Sequence, residues 1–195
     1  MRGPRGVGFL YAKKDFQYGG NSRINEPIFL DICSATTNAS IDKDGNGGAY
    51  IVNNTAKRYE TYEKNFAGVI GLGLAVRKVL DKGIHQISSE IIEIANYLRS
   101  ELKNIDFIQV HDQGNNLGGI VCFSIMNFDS KNVKEYFSKT NPIVNVHVSF
   151  PSSTPTDANW RKLPPMVRAS PSYYNSKEEV NTFIRLLKEY YSSQK

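Results

Sequence analysis

Two cysteines in 195 residues, Cys33 and Cys122, are too few and too far apart for a disulfide framework, and without Cys-x-x-Cys spacing they suggest no zinc site. They read as reduced thiols, which places the chain in the cytoplasm as an expectation. Long apolar runs are also missing. The most apolar stretch, Phe66 to Val76, holds three glycines and is shorter than the ~20 residues a membrane span needs, so it is expected to be a buried helix. The opening arginines are followed only by the short apolar piece Val7 to Ala12 before lysines interrupt it, which is not a signal-peptide pattern. His85, His111 and His147 have no i,i+4 partner and no nearby Cys or Asp set, so no metal is expected and the three read as surface or strand-end residues. The net charge of +5 comes from 24 basic residues dispersed among 19 acidic ones. That dispersion indicates a solvated surface, with no nucleic acid and no membrane as partner.

What is present, 40% hydrophobic and 22% charged residues, is enough for one substantial core or two small ones. A Pro/Gly turn leads into a Val, Phe, Leu and Tyr run over Gly6 to Ala12, predicting a buried strand. Gln17 to Thr55 is a loop region rich in Gly, Asn, Ser and Asp, with brief strands at Ile28 to Leu30 and Tyr50 to Val52. Helical spacing recurs over Lys64 to Leu80, with Gly68, Gly71 and Gly73 allowing close approach, and again over Gln86 to Leu102. Phe107 to His111, Gly119 to Ile125, Ile143 to Phe150 and Met166 to Ser170 read as strands, with a helix over Asn132 to Ser138 and a Ser/Thr/Pro loop after Phe150. Ser176 and Glu179 form a capping-box signature ahead of the apolar stripe Val180, Phe183, Ile184, Leu187 and Tyr191, predicting a helix from Lys177.

The motif-like pieces mostly dissolve on inspection. Gly3, Gly6 and Gly8 match neither a P-loop nor a dinucleotide-binding turn. Asp42-x-Asp44-x-Asn46-Gly47 matches the first half of a calcium loop, but Asn53 stands where the bidentate glutamate is required. Asn38-Ala39-Ser40 and Asn53-Asn54-Thr55 match the glycosylation pattern by coincidence. No Ser/His/Asp or Cys/His arrangement can be paired by spacing. Composition and periodicity alone end at an α/β domain.

Several ordered motifs go further. Arg2-Gly3-Pro4-Arg5-Gly6-Val7-Gly8-Phe9-Leu10-Tyr11, Leu30-Asp31, Ser34-Ala35-Thr36, Arg58-Tyr59-Glu60 leading into Asn65-Phe66-Ala67-Gly68, then Arg168-Ala169-Ser170 and Tyr173-Tyr174-Asn175 occur along essentially the whole chain. Together they resemble the C-terminal part of a class V, fold type I pyridoxal-phosphate enzyme of the aminotransferase and cysteine desulfurase superfamily. The resemblance implies residues 1–63 as the C-terminal end of the large cofactor domain. It implies residues 64–195 as an interdomain helix and a small α/β domain with a mainly antiparallel sheet and flanking helices.

The resemblance also implies the chemistry. Pyridoxal 5'-phosphate acts as electron sink on an amino-acid-like substrate, usually in a homodimer. Arg168 is then the residue that pairs with the substrate carboxylate, because a planar guanidinium offers two parallel charge-assisted hydrogen bonds. Asn175 and Arg5 are further candidates, expected to shape the site and its loop. The Schiff-base lysine of the family lies upstream of Met1, so no catalytic residue is assigned within the chain and no covalent cofactor is expected on it. Lys13 and Lys14 follow the expected strand and do not substitute. Departures narrow the reaction. Tyr62-Glu63 replaces the Gly-Thr of cysteine desulfurases, and Val144 to Trp160 contains no cysteine where those enzymes carry a mobile-loop one. Sulfur transfer is therefore disfavoured against aminotransferase, epimerase or lyase chemistry. A non-catalytic remnant serving as an interaction module, and a desulfurase- or epimerase-like lyase fragment, stay open as alternatives.

Overall fold

The computed structural model describes residues 3–12, 27, 29–36 and 50–194 and divides into two units, Met1–Asp81 and Lys82–Lys195. Lys13-Lys14, the calcium-loop-like Asp42 to Gly47, Asn38 to Ser40 and most of the predicted Gln17 to Thr55 loop region lie outside the described residues. Among the described residues, no helix is long and apolar enough to cross a membrane.

In the first unit two short strands, β1 (Ala35–Thr36) and β2 (Ile51–Val52), pair antiparallel. A 3-10 turn follows at Ala56–Tyr59, capped by the Thr55 side chain. Helix α1 (Phe66–Lys82) comes next. Its glycines do what their spacing predicts at two of three positions. A Cβ on Gly71 would come within 2.7 Å of Pro4, and one on Gly68 would collide with Val7, while Gly73 faces open space. Three expectations fail here. Gly6 to Ala12 forms no strand, and Phe9, Leu10 and Tyr11 are 72%, 70% and 82% exposed, because a strand exists only where a neighbour completes its ladder and no described strand lies beside it. Phe29 and Leu30 likewise stay outside any strand. Helix α1 is not buried: Phe66, Ile70 and Leu74 are 65–69% exposed, since only the Gly3 to Val7 segment is seen packing closely on its glycines.

The second unit begins where Gly83, at φ +91, ends α1 in a conformation that side-chain-bearing residues avoid. The order is α2 (Ile84–Lys103), β3 (Ile108–Val110), β4 (Val121–Ile125), α3 (Ser130–Ser138), β5 (His147–Ser149), a 3-10 turn at Pro151–Ser153, α4 (Pro155–Arg161), β6 (Met166–Ala169) and α5 (Lys177–Ser193). The four strands form one antiparallel sheet in the order β3-β4-β6-β5. Leu98 and Leu102 of α2, Phe137 of α3 and Phe183 and Leu187 of α5 join Val121, Phe123 and Val167 of the sheet in one core. Phe183 meets Phe123 edge-on at 6.1 Å and stacks with Phe137 at 5.1 Å, geometries that aromatic quadrupoles favour.

Predicted and observed elements differ at their ends for identifiable reasons. The predicted Gly119 to Ile125 strand starts only at Val121, because the carbonyls of Gly118 and Ile120 accept hydrogen bonds from Arg99. The predicted Ile143 to Phe150 strand shrinks to three residues, since its single neighbour β6 offers partners only from Met166 to Arg168. The Ser/Thr/Pro loop contains α4, whose start carries Pro155 at the first helical position, where the missing N–H costs nothing, and Asp157 in the first turn. Lys162, at φ +52, closes it.

The capping box ahead of α5 is formed: the Ser176 Oγ accepts from the Glu179 N–H at 3.3 Å, and Glu179 accepts from the Ser176 N–H at 2.9 Å. Ser176→Ala should cost about 1 kcal/mol of stability, read as a lower urea midpoint with an unchanged slope. A midpoint equal to that of the parent chain would show that tertiary packing alone fixes the helix start.

Candidate functional site

Period-two alternation sorts the side chains of the sheet onto two faces. Val121, Phe123 and Ile125 of β4, and Val167 and Ala169 of β6, enter the helical core. Cys122, Ser124 and Arg168 therefore take the opposite face, as do His147 and Ser149 of β5, which flank the buried Val148. Register then aligns them. Cys122 pairs with Arg168, and Arg168 pairs with His147. Just beyond β3, the N–H of His111 donates to the carbonyl of Cys122 at 2.8 Å. The result is one row, His111, Cys122, Arg168, His147, running from the end of β3 across β4, β6 and β5.

Arg168 is the unpaired group of this row. Its Nε is enclosed, with no hydrogen-bond partner, and it takes part in none of the ion pairs among the described residues. An enclosed, unsatisfied guanidinium N–H is costly, and a bound anion would relieve that cost. The neighbouring Cys122 thiol is pushed up by burial, with the Asp112 carboxylate adding to the effect. A raised thiol is a poor nucleophile at neutral pH. Cys33, half-buried, sits in an Asx turn in which the Asp31 carboxylate accepts from the N–H groups of Cys33 at 2.7 Å, Ser34 at 3.2 Å and Tyr62 at 2.7 Å.

His111 stands at the strand end that its sequence context suggests, but there it is buried and not at the surface. Its Nε2 lies 2.8 Å from the Ser124 hydroxyl, and its carbonyl accepts from Arg161 at the end of α4. Burial first, then the Arg161 charge, hold it below the ordinary histidine range. The unfolded chain binds this proton more readily than the folded one, so stability is full above about pH 6.5 and falls as pH drops through that value. His111→Gln should flatten the stability profile between about pH 7 and 5. Parallel profiles for the two proteins would show that His111 does not carry the linkage.

Beneath the row, Arg99 of α2 is nearly fully enclosed. Its Nε donates to Asp112 Oδ2 at 2.7 Å, one terminal nitrogen to Asn96 at 3.0 Å, and the other to the Gly118 and Ile120 carbonyls at 2.6 and 2.7 Å. Asp112 Oδ1 accepts from the Cys122 N–H at 2.9 Å. This arginine is closed and structural. It fixes the start of β4 and so the position of Cys122 beside Arg168.

Of the other residues singled out from sequence, Asn175 has both ends of its amide engaged, Oδ1 with the Ser172 N–H at 2.9 Å and Nδ2 with Glu179 at 3.1 Å. Arg5 is exposed in the turn before Gly6 and belongs to the other unit. His147 is the exposed strand-end residue that its sequence context suggests, but only strand register brings it beside Arg168, and Arg161 was not singled out, because only the unrecognised α4 brings it to His111. A groove of about 490 Å³ opens between Gln109, His111 and Asp112 on one side and Trp160, Arg161 and Leu163 on the other, and no lysine lines it. Among the described lysines, Lys64, Lys82, Lys139 and Lys177 are paired with Glu60, Glu90, Glu135 and Glu93.

A four-stranded antiparallel sheet packed against helices, with Arg168 on the face turned away from the shared core, is the architecture of a small α/β domain. The chain belongs to the class V aminotransferase family, whose model matches residues 1–183. It is 29% identical over 190 residues to a probable cysteine desulfurase of Methanothermobacter thermautotrophicus, covering 96% of this chain and 44% of that protein. It is 26% identical to the cysteine desulfurase of Salmonella agona, over 94% of this chain and 42% of that one. Among solved structures, the cysteine desulfurase CsdA of Escherichia coli superposes with a TM-score of 0.77 at 19% identity, covering 96% of this chain and 43% of that one. The cystine C-S lyase C-DES, in complex with cysteine persulfide, gives 0.71 at 20%, over 95% and 43%. A lysine mutant of C-DES with glycine covalently linked to its PLP cofactor gives 0.61 at 16%, over 82% and 37%. The chain thus spans about two-fifths of the length of these relatives, and the likeness to the solved structures shows a shared α/β fold.

Proposed function

We propose that this chain is the C-terminal portion of a class V pyridoxal-phosphate enzyme acting on an amino acid or amine, with Arg168 taking the substrate carboxylate. Residues 1–63 form the end of the large domain and residues 64–195 the interdomain helix and small domain; the complete enzyme is a homodimer by the same resemblance. The observation that carries the reading is the enclosed, unpartnered Nε of Arg168 on the sheet face free of the helical core. A carboxylate docking there gains two charge-assisted hydrogen bonds and completes a donor that is otherwise unsatisfied. Asn175 holds the turn between β6 and α5 through Ser172 and Glu179, and thereby the strand end that carries Arg168. Arg5 is assigned a shaping role at its own turn.

Pyridoxal phosphate, when bound in the complete enzyme, supplies the electron sink for the substrate Cα carbanion. Arg168 then binds and orients the carboxylate. Transamination, epimerisation or lyase chemistry is favoured over transfer of sulfur through a protein thiol. Support for that preference comes from the raised, packed Cys122 thiol and from the lack of cysteine between Val144 and Trp160. Titration of the isotope-labelled chain with acetate at constant ionic strength tests the reading. The Arg168 Nε–Hε resonance should shift saturably, whereas a resonance unmoved at saturating carboxylate would overturn the assignment.

A further inference from the structure

The row on the polar face contains one side chain that neither the carboxylate handle nor the packing uses. His147 lies on β5, at the edge of the sheet, and is the direct cross-strand partner of Arg168. Directly paired residues on one face have Cβ atoms about 4.5–5.5 Å apart, so a ligand held by Arg168 lies within reach of the imidazole. On the other side of Arg168 stands Cys122, whose raised thiol stays neutral. The carboxylates that come to this part of the sheet are already committed: Asp112 is closed on Arg99 and Asp157 on Arg161. No acidic side chain stands in the row itself. The face therefore offers Arg168, an exposed imidazole donor beside it and no compensating negative charge.

We propose that His147 is a specificity-determining residue that contacts a second acidic group on the substrate, so that the site takes amino acids whose side chain ends in a carboxylate. Arg168 holds one carboxylate and His147 donates to the other. This inference rests on the assignment of Arg168 as carboxylate handle. An added charge-assisted hydrogen bond corresponds to about tenfold tighter binding, well above the factor of about two that a ligand gains from carrying two equivalent carboxylates.

The test compares acetate with glutarate on the labelled chain at constant ionic strength, following the Arg168 Nε–Hε and His147 ring resonances. Acetate should shift Arg168 alone. Glutarate should shift both and bind about tenfold more tightly, and His147→Ala should bring the glutarate Kd to within about twofold of the acetate Kd. Glutarate binding no tighter than acetate, or tighter binding that survives His147→Ala, overturns the role of His147 while leaving Arg168 as the handle. Acetate that fails to move Arg168 overturns the handle, and the inference falls with it.

Discussion

Asp112→Ala is expected to destabilise the C-terminal unit by about 3–5 kcal/mol, the range for removing one partner of a buried ion pair. The side chains of Arg99 and Asp112 are only 5% and 10% exposed, so water is poorly placed to replace the lost carboxylate. The variant loses two things at once: the counter-charge of Arg99, and the acceptor that the Asp112 Oδ1 provides for the Cys122 N–H. Arg99 keeps Asn96 and the Gly118 and Ile120 carbonyls, which are dipoles and not charges. The double variant Arg99→Met/Asp112→Ala should lose less than the sum of the two single losses, because the uncompensated charge is gone. Urea unfolding of the four proteins measures the coupling. A loss below about 1 kcal/mol for Asp112→Ala would place the pair among solvent-screened contacts.

Arg168→Met should behave in the opposite way. Binding of a carboxylate should fall by about 100-fold, the equivalent of two charge-assisted hydrogen bonds less their desolvation. Stability should stay level or rise by about 1 kcal/mol, because an enclosed donor without a partner is replaced by an apolar chain that retains much of its packing. The contrast between two arginines of one small domain separates their roles: Arg99 is closed by four acceptors and holds the fold, and Arg168 is left open and holds a ligand. Calorimetric unfolding together with acetate titration reads both quantities. An Arg168→Met chain that binds acetate as the parent does would refute the carboxylate role, and one that unfolds like Asp112→Ala would make Arg168 a structural residue.

Local chemistry made some of this molecule readable in advance. The α5 helix and its capping box follow from Ser176, Glu179 and an apolar stripe of period 3.6, because each depends only on residues within one turn of each other. The Ile87, Ile94, Leu98 and Leu102 face of α2 is buried as its spacing predicts. Strand existence was also legible for β3, β4 and β6, whose alternation is local. Their ends were not, since Arg99 from a preceding helix takes the Gly118 and Ile120 carbonyls and β6 decides how far β5 can pair. Helix α4 was missed although Pro155 and Asp157 mark its start, because seven residues with a single buried side chain, Ala158, give almost no periodic signal.

The apolar residues of α1 show the converse. Their spacing correctly predicted a helix, but burial depends on what lies against that face. The same holds for Phe9, Leu10 and Tyr11, whose composition suits a strand and whose ladder has no described partner.

By itself, then, the sequence determined helices α1, α2, α3 and α5, the presence of the four strands of the C-terminal sheet, the family and the identity of Arg168 as a carboxylate-binding candidate. All of these rest on short-range spacing or on ordered motifs. Only the tertiary structure decided that His111 is buried against Ser124, that His147 stands beside Arg168 and that Arg99 is the closed arginine while Arg168 is the open one. Strand register and packing between distant segments set those relations, and neither is encoded in the spacing of neighbouring residues.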